Sequence, residues 1–289
     1  MSAPTRHPAE ALRRSPAELL FVLGAISLYA GSSLAVLVFD EVDALGVAWL
    51  RGLGAAVVLS LWRRPWRRTW TARRVGLVAV FGIVTTGMNT AFYLSIDRIP
   101  VGTAVAIEFL GPVAVAAART RSRRDVLALG LVVVGVLAVS GVRWEGAAVG
   151  IVWALTAATL WGGYIVFGHR VAGDGVGIDG LAVGLAIGAV VFAPVAAPST
   201  APVWTDARLL LVCLAVAVFS NVVPYGLDQI TLRRLTAERF AMLLAILPVT
   251  ATIVAAVVLG QVPRPLEAAG IAVVVVALAI RDRSADRTG

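Results

Sequence analysis

Cysteine, histidine and charge are all scarce in this sequence. Cys213 is the only cysteine, so neither a disulfide framework nor a thiolate metal site can be built. His7 and His169 are the only histidines. No phosphate-cradling P-loop is present, so any energy source is an ion gradient rather than ATP. No His/Asp/Ser constellation or metal-ligand pair sits inside an apolar run, so the cluster of titratable groups that marks a catalytic site is missing and a membrane-embedded enzyme stays a remote alternative. Charged residues make up 15% of the chain against 59% hydrophobic, with a mean hydropathy of +0.89. A soluble domain could not cover that much apolar area with polar surface, so lipid is the covering solvent.

What the sequence does have is long apolar runs. A helix crosses the ~30 Å hydrocarbon layer with about 20 residues, and ten stretches approach that length: 17–38, 44–62, 75–96, 100–118, 126–142, 146–168, 178–197, 209–227, 237–260 and 266–280. They are continuously apolar, unlike the alternating strands of a barrel, which predicts an all-α polytopic membrane protein. The first run is too long for a removable signal peptide and lacks a small-residue cleavage site.

The net charge of +8 could suggest a nucleic-acid partner, but its placement argues otherwise. All 25 basic residues are Arg, and 19 of them fall on one side when the spans are threaded with the N-terminus in the cytoplasm. That is the positive-inside bias, and it predicts that both termini are cytoplasmic. Trp62 to Trp70 interleaves tryptophan with arginine at a membrane boundary, where such residues anchor helices. Gly175, Gly177 and Gly180 satisfy a dinucleotide-binding pattern, yet they follow a helical run rather than a strand and read as a flexible connector.

An even number of spans with both termini on one side suggests two copies of a five-helix unit, and an odd-numbered unit must repeat inverted. Weak internal echoes agree. Ala30-Gly31 recurs at Gly162-Gly163, the run from Gly54 at Gly188, and Pro112-Val113 at Pro248-Val249, with offsets of 132 to 136 residues. Asn89-x-x-x-Tyr93 recurs as Asn221-x-x-x-Tyr225. The expected division is a cytoplasmic segment 1–16, a first repeat 17–143, a second repeat 144–280 and a cytoplasmic tail 281–289.

Glu108 is the sharpest single residue, about 12 Å from the outer edge of the fourth span. An acid at that depth costs ~2.5 kcal/mol or more unless neutral, paired or hydrated, and intramembrane acids are functional by default. It could take and release a coupling proton. Arg51 and Asn89 lie at a similar depth, each about 10 Å down. Arg51 could neutralise Glu108 in a structural ion pair, or hold a substrate carboxylate with its planar fork. Asn89 and Tyr93 share one helical face, as do Asn221, Tyr225 and Asp228. These stripes suit a cavity lining or plain hydrogen bonding between helices. Trp161 and Tyr164 could cap a pocket or simply pack. No cofactor or metal is called for.

Gly87-Met88-Asn89, Phe92-Tyr93-Leu94-Ser95-Ile96 and Glu108-Phe109-Leu110-Gly111-Pro112, with Leu50-Arg51, Trp161, Tyr164 and Val223-Pro224-Tyr225-Gly226-Leu227-Asp228, resemble the EamA branch of the drug/metabolite transporter superfamily, and within it the threonine/homoserine exporters. The resemblance implies ten helices in two inverted repeats, a bacterial inner-membrane location, and efflux of small amino acids or related metabolites. Departures at Val36, Thr236 and Leu247, two of them where the family often carries charge, bear on the substrate more than on the fold. The expectation is therefore a secondary, proton-coupled exporter working by alternating access. Efflux of another metabolite or drug is the alternative.

Overall fold

The computed structural model describes residues 16–119, 144–232 and 246–282, together with 130, 131, 134 and 243. All regular structure among them is helical. In chain order the helices are α1 (Ala17–Val36), α2 (Ala44–Arg63), α3 (Ala72–Ile96), α4 (Val101–Glu108), α5 (Leu110–Arg119), α6 (Trp144–Gly173), α7 (Gly177–Ala196), α8 (Ala207–Ala217), α9 (Val223–Leu232), α10 (Ile246–Leu259) and α11 (Pro265–Asp282). Among the described residues six helical stretches are long and apolar enough to cross a membrane, and Val101–Val115 and Ile246–Leu259 are shorter apolar helices. Most of the fifth expected span, and the ninth before residue 246, lie outside the described residues.

Local chemistry sets the boundaries. Asp43, Thr71 and Asp206 cap α2, α3 and α8 by accepting backbone N–H bonds from Leu45, Arg74 and Arg208. Gly175 and Gly177, with φ of 72° and 42°, turn the chain between α6 and α7, so the glycine-rich run is a connector between two helices. Two expected spans are interrupted. The fourth breaks at Phe109, between α4 and α5. Pro112 explains this, because it has no N–H for the Glu108 carbonyl four residues earlier and its ring crowds that carbonyl. The eighth passes from α8 into α9 through a π turn, Val218–Val222, immediately before Pro224.

Packing joins the two parts of the chain more than it joins neighbours within a part. α3 lies on α6 and α7, α2 on α7 and α8, and α1 on α9 and α10. Trp49 Nε1 donates to the Ala189 carbonyl at 2.7 Å, tying α2 to α7. Where α3 crosses α7, a Cβ at Gly82 would fall on the Gly184 carbonyl and lie 2.5 Å from Gly184 Cα; a Cβ at Gly188 would lie 2.8 Å from the Gly82 carbonyl oxygen. Small residues allow this backbone contact, which lipid-embedded helices use in place of a hydrophobic drive. The outer faces are apolar, as at Leu23, Val190, Leu211 and Val257, and suit acyl chains.

Two buried apolar clusters result. One gathers Phe21, Tyr29, Val47, Phe92, Tyr93, Ile107, Phe109 and Val216; the other gathers Ala55, Leu59, Val78, Phe81, Leu181 and Leu185. Along α2 and α3 the change from one cluster to the other falls at buried polar residues, namely Arg51 on α2 and Thr85, Thr86, Asn89 and Thr90 on α3.

Candidate functional site

Arg51 is only 2% exposed, and a guanidinium cannot be buried inside a bundle without partners. Its Nε donates to Asn221 Oδ1 at 2.8 Å, and its Nη2 donates to the Ser220 carbonyl at 3.0 Å. Asn221 Nδ2 donates back to the Arg51 carbonyl at 3.3 Å. The Tyr93 ring lies under the guanidinium, 5.0 Å from Cζ to the ring centroid, and adds a cation–π contact. The Tyr93 hydroxyl is 3.5 Å from Ser220 Oγ. Three separate segments, α2, α3 and the π turn, thus meet at one cation.

Close approach makes the meeting possible. Gly31 of α1 presses on the π turn, where a Cβ would lie 2.8 Å from the Ser220 nitrogen. One turn earlier Ser27 donates its hydroxyl to the Phe219 carbonyl at 2.8 Å.

Glu108 is the last residue of α4. Val101 to Ile107 are all buried, whereas Glu108 stays partly accessible where the helix breaks. Among the described residues no group hydrogen-bonds its carboxyl, and no ion pair within 4.0 Å joins it to Arg51. The acid and the guanidinium therefore do not neutralise each other by contact. Phe109, next in the chain, packs edge-on against Trp161 with centroids 4.9 Å apart, which brings α6 to the break. Asn89 is buried one turn from Tyr93 on α3, and its amide has no hydrogen bond among the described residues. A polar side chain left this way is available to a solute or water.

Not every expected residue joins this group. Tyr164 stacks on Phe81 with centroids 5.2 Å apart, and both Tyr164 and Tyr225 pack against the second apolar cluster. Trp161 belongs with the first cluster, so it and Tyr164 face different surroundings. The side chain of Asp228 lies outside the described residues, as do Arg233, Arg234, Glu238 and Arg239.

Sequence reading missed two features. Ser220 gave no signal beyond standing four residues before a proline. The other is an ionic clasp: Asp179, at the start of α7, accepts a hydrogen bond from Arg63 Nε at 3.0 Å and is ion-paired with Arg68 Nε at 2.9 Å. Arg68 Nη1 also donates to the Gly175 carbonyl at 3.1 Å, and Arg74 pairs with Asp174 at 3.6 Å. The segment read as a tryptophan–arginine anchor is thus fastened to the connector between α6 and α7.

Comparison with known proteins places these features in context. Residues 148–280 match the EamA-like transporter family. The chain is 32% identical over 276 residues to the threonine/homoserine exporter RhtA of Escherichia coli strain K12, covering 92% of each protein. It is 33% identical over 250 residues to the exporter of the same name from Salmonella typhimurium strain LT2, covering 84% of this chain and 83% of that one. One solved crystal structure aligns with a TM-score of 0.59 at 21% identity, over 93% of this chain and 98% of the other, a likeness of fold.

Proposed function

The chain belongs to the EamA-like transporter family, and from that premise we propose that it is a secondary exporter of small amino acids of the threonine and homoserine kind. It is a multi-pass membrane protein and not an enzyme. On our reading it has ten helices in two inverted repeats, 17–143 and 144–280, sits in the inner membrane with both termini cytoplasmic, and works by alternating access.

The observation that carries the substrate reading, beside the likeness to named exporters, is that one bundle holds a basic and an acidic side chain, Arg51 and Glu108, that make no direct contact with each other. A free amino acid is a zwitterion, and both of its charges must be met when it leaves water. Arg51 would take the carboxylate, Glu108 the ammonium, and Asn89 the side-chain hydroxyl. Tyr93 and Asn221 would hold Arg51 in place, Trp161 would wall the break, and Tyr164, Tyr225 and Asp228 would line the path further along.

Coupling follows from the same carboxyl. Once the ammonium departs, Glu108 again faces the bundle interior and binds a proton, which it must release before the next substrate can bind. Proton and ammonium compete for one site, so one travels inward as the other travels outward.

Proteoliposomes loaded with labelled threonine or homoserine test this, with efflux followed with and without an inward proton gradient. Gradient-stimulated efflux of either amino acid, lost in Glu108→Gln, is the expected result. Folded wild type that moves neither would transfer the assignment to another metabolite or drug. Efflux unchanged in Glu108→Gln would remove the proton from the mechanism.

A further inference from the structure

Arg51 presents one edge of its guanidinium and not another, and a proline decides which. The side edge, Nε with Nη2, is taken by Asn221 Oδ1 and the Ser220 carbonyl. One face is covered by the Tyr93 ring. The end edge, Nη1 with the second hydrogen of Nη2, has no partner among the described residues. That end edge is a planar two-donor fork of the geometry that matches a carboxylate.

The Ser220 carbonyl can hold Nη2 because its own helix gives it no α-type partner. In an α-helix it would receive the N–H of residue 224, and residue 224 is Pro224, which has none. The π turn spanning Val218–Val222 widens the helix at this point, and the adjoining Phe219 carbonyl is likewise taken up by another helix through Ser27. Single π turns recur at functional sites because they turn backbone groups outward. We infer that Pro224 and Asn221 are positioning residues: Asn221 occupies the side edge of Arg51 directly, Pro224 leaves the Ser220 carbonyl free to occupy the rest of it, and together they hold its end edge toward the substrate carboxylate. This rests on the reading of Arg51 as the carboxylate-binding group.

The assignment makes a prediction about discrimination rather than about activity alone. L-threonine and L-threoninol differ in having a carboxylate or a primary alcohol, so the ratio of their affinities reports on the fork. Binding is read as the dose-dependent rise in unfolding temperature of the purified full-length protein. A bidentate charge-assisted contact predicts that wild type prefers threonine by about 10- to 100-fold. In Pro224→Ala the new N–H claims the Ser220 carbonyl, and the preference should fall about tenfold while threoninol affinity stays near wild type. Asn221→Ala, which removes the other side-edge partner without touching the backbone, should behave alike and guards against a folding defect in the proline variant.

The outcomes separate cleanly. If both variants keep the wild-type preference, or weaken both ligands equally, the positioning role is wrong and Pro224 only bends the helix. If Arg51→Gln keeps the preference, Arg51 does not bind the carboxylate, and the positioning role falls with that reading. If threonine does not stabilise wild type at all, the amino-acid assignment fails first and takes the inference with it.

Discussion

Gly82 and Gly76 lie on the same helix, α3, and the same methyl added to each should act in opposite directions. At Gly76 an added Cβ meets nothing within 4 Å. At Gly82 it would fall on the Gly184 carbonyl and lie 2.5 Å from Gly184 Cα, in a crossing where Gly188 already sits against the Gly82 carbonyl. Restoring an ordinary contact of about 3.5 Å to the Gly184 carbonyl moves α3 and α7 apart by roughly 1.5 Å, which strips dispersion contacts from both sides of the crossing. Forced overpacking of this kind costs about 1–3 kcal/mol. Gly76→Ala should instead gain up to ~1 kcal/mol, because alanine loses less backbone freedom in a helix. At roughly 2–4 °C per kcal/mol, the two variants should be separated by about 2–16 °C in apparent unfolding temperature. Cys213 supplies the assay, since it is the only thiol in the chain and is buried, so a thiol-reactive dye gains signal as the bundle opens. Scan rates must be matched, as unfolding from detergent is commonly irreversible. Equal stability of the two variants, or a more stable Gly82→Ala, would refute the backbone contact at this crossing.

The same thiol should react with a maleimide at least about tenfold more slowly in the folded protein than after denaturation, because a buried thiol must wait for local opening; equal rates would place Cys213 at the surface. Asp179→Asn should cost about 1 kcal/mol, a modest figure because the side chains of Arg63 and Arg68 are 42% and 46% exposed. The loss should shrink in 1 M salt, where the Debye length is about 3 Å, and a salt-independent loss would assign the effect to packing. Export of a neutral zwitterion against one proton moves a net positive charge inward, so abolishing an imposed inside-negative membrane potential at fixed pH gradient should slow efflux from proteoliposomes. Unchanged efflux would exclude that stoichiometry.

Much of the helical plan was legible because it depends on one local quantity. Runs of apolar residues long enough to cross lipid need no knowledge of their neighbours, and α1, α2, α3 and α7 begin and end within a few residues of the expected spans. Interruptions were less legible. Pro112 and Pro224 both announce a missing hydrogen bond, but whether a helix answers with a break, as at Phe109, or with a π turn, as before Pro224, depends on which groups lie opposite. The depth of Arg51, Asn89 and Glu108 could be counted from the ends of their spans. Their partners could not, because Arg51 meets Asn221 across 170 residues of chain and no periodicity encodes such a meeting. Tyr164 shows the limit of helical spacing: one turn from Trp161 along α6 is enough to carry it from the first apolar cluster to the second. The clasp on Asp179 was hidden for another reason. Its arginines were already explained as membrane anchors, and a single aspartate beside a glycine-rich turn carries no motif.

That separation of 170 residues also has a meaning in time. A ribosome adding about 5–20 residues per second needs roughly 10–30 s to travel from Arg51 to Asn221. Through that interval the second helix of the nascent chain holds a cation whose hydrogen-bond acceptors, Asn221 and the Ser220 carbonyl, have not been made, at a cost of up to about 2.5–3.5 kcal/mol in an apolar span. The early helices must wait near the insertion machinery, or at the water interface, until the later ones arrive to relieve them. A first half produced on its own would never make the Asn221 and Ser220 contacts, so the two halves are bound to each other at birth by this arginine.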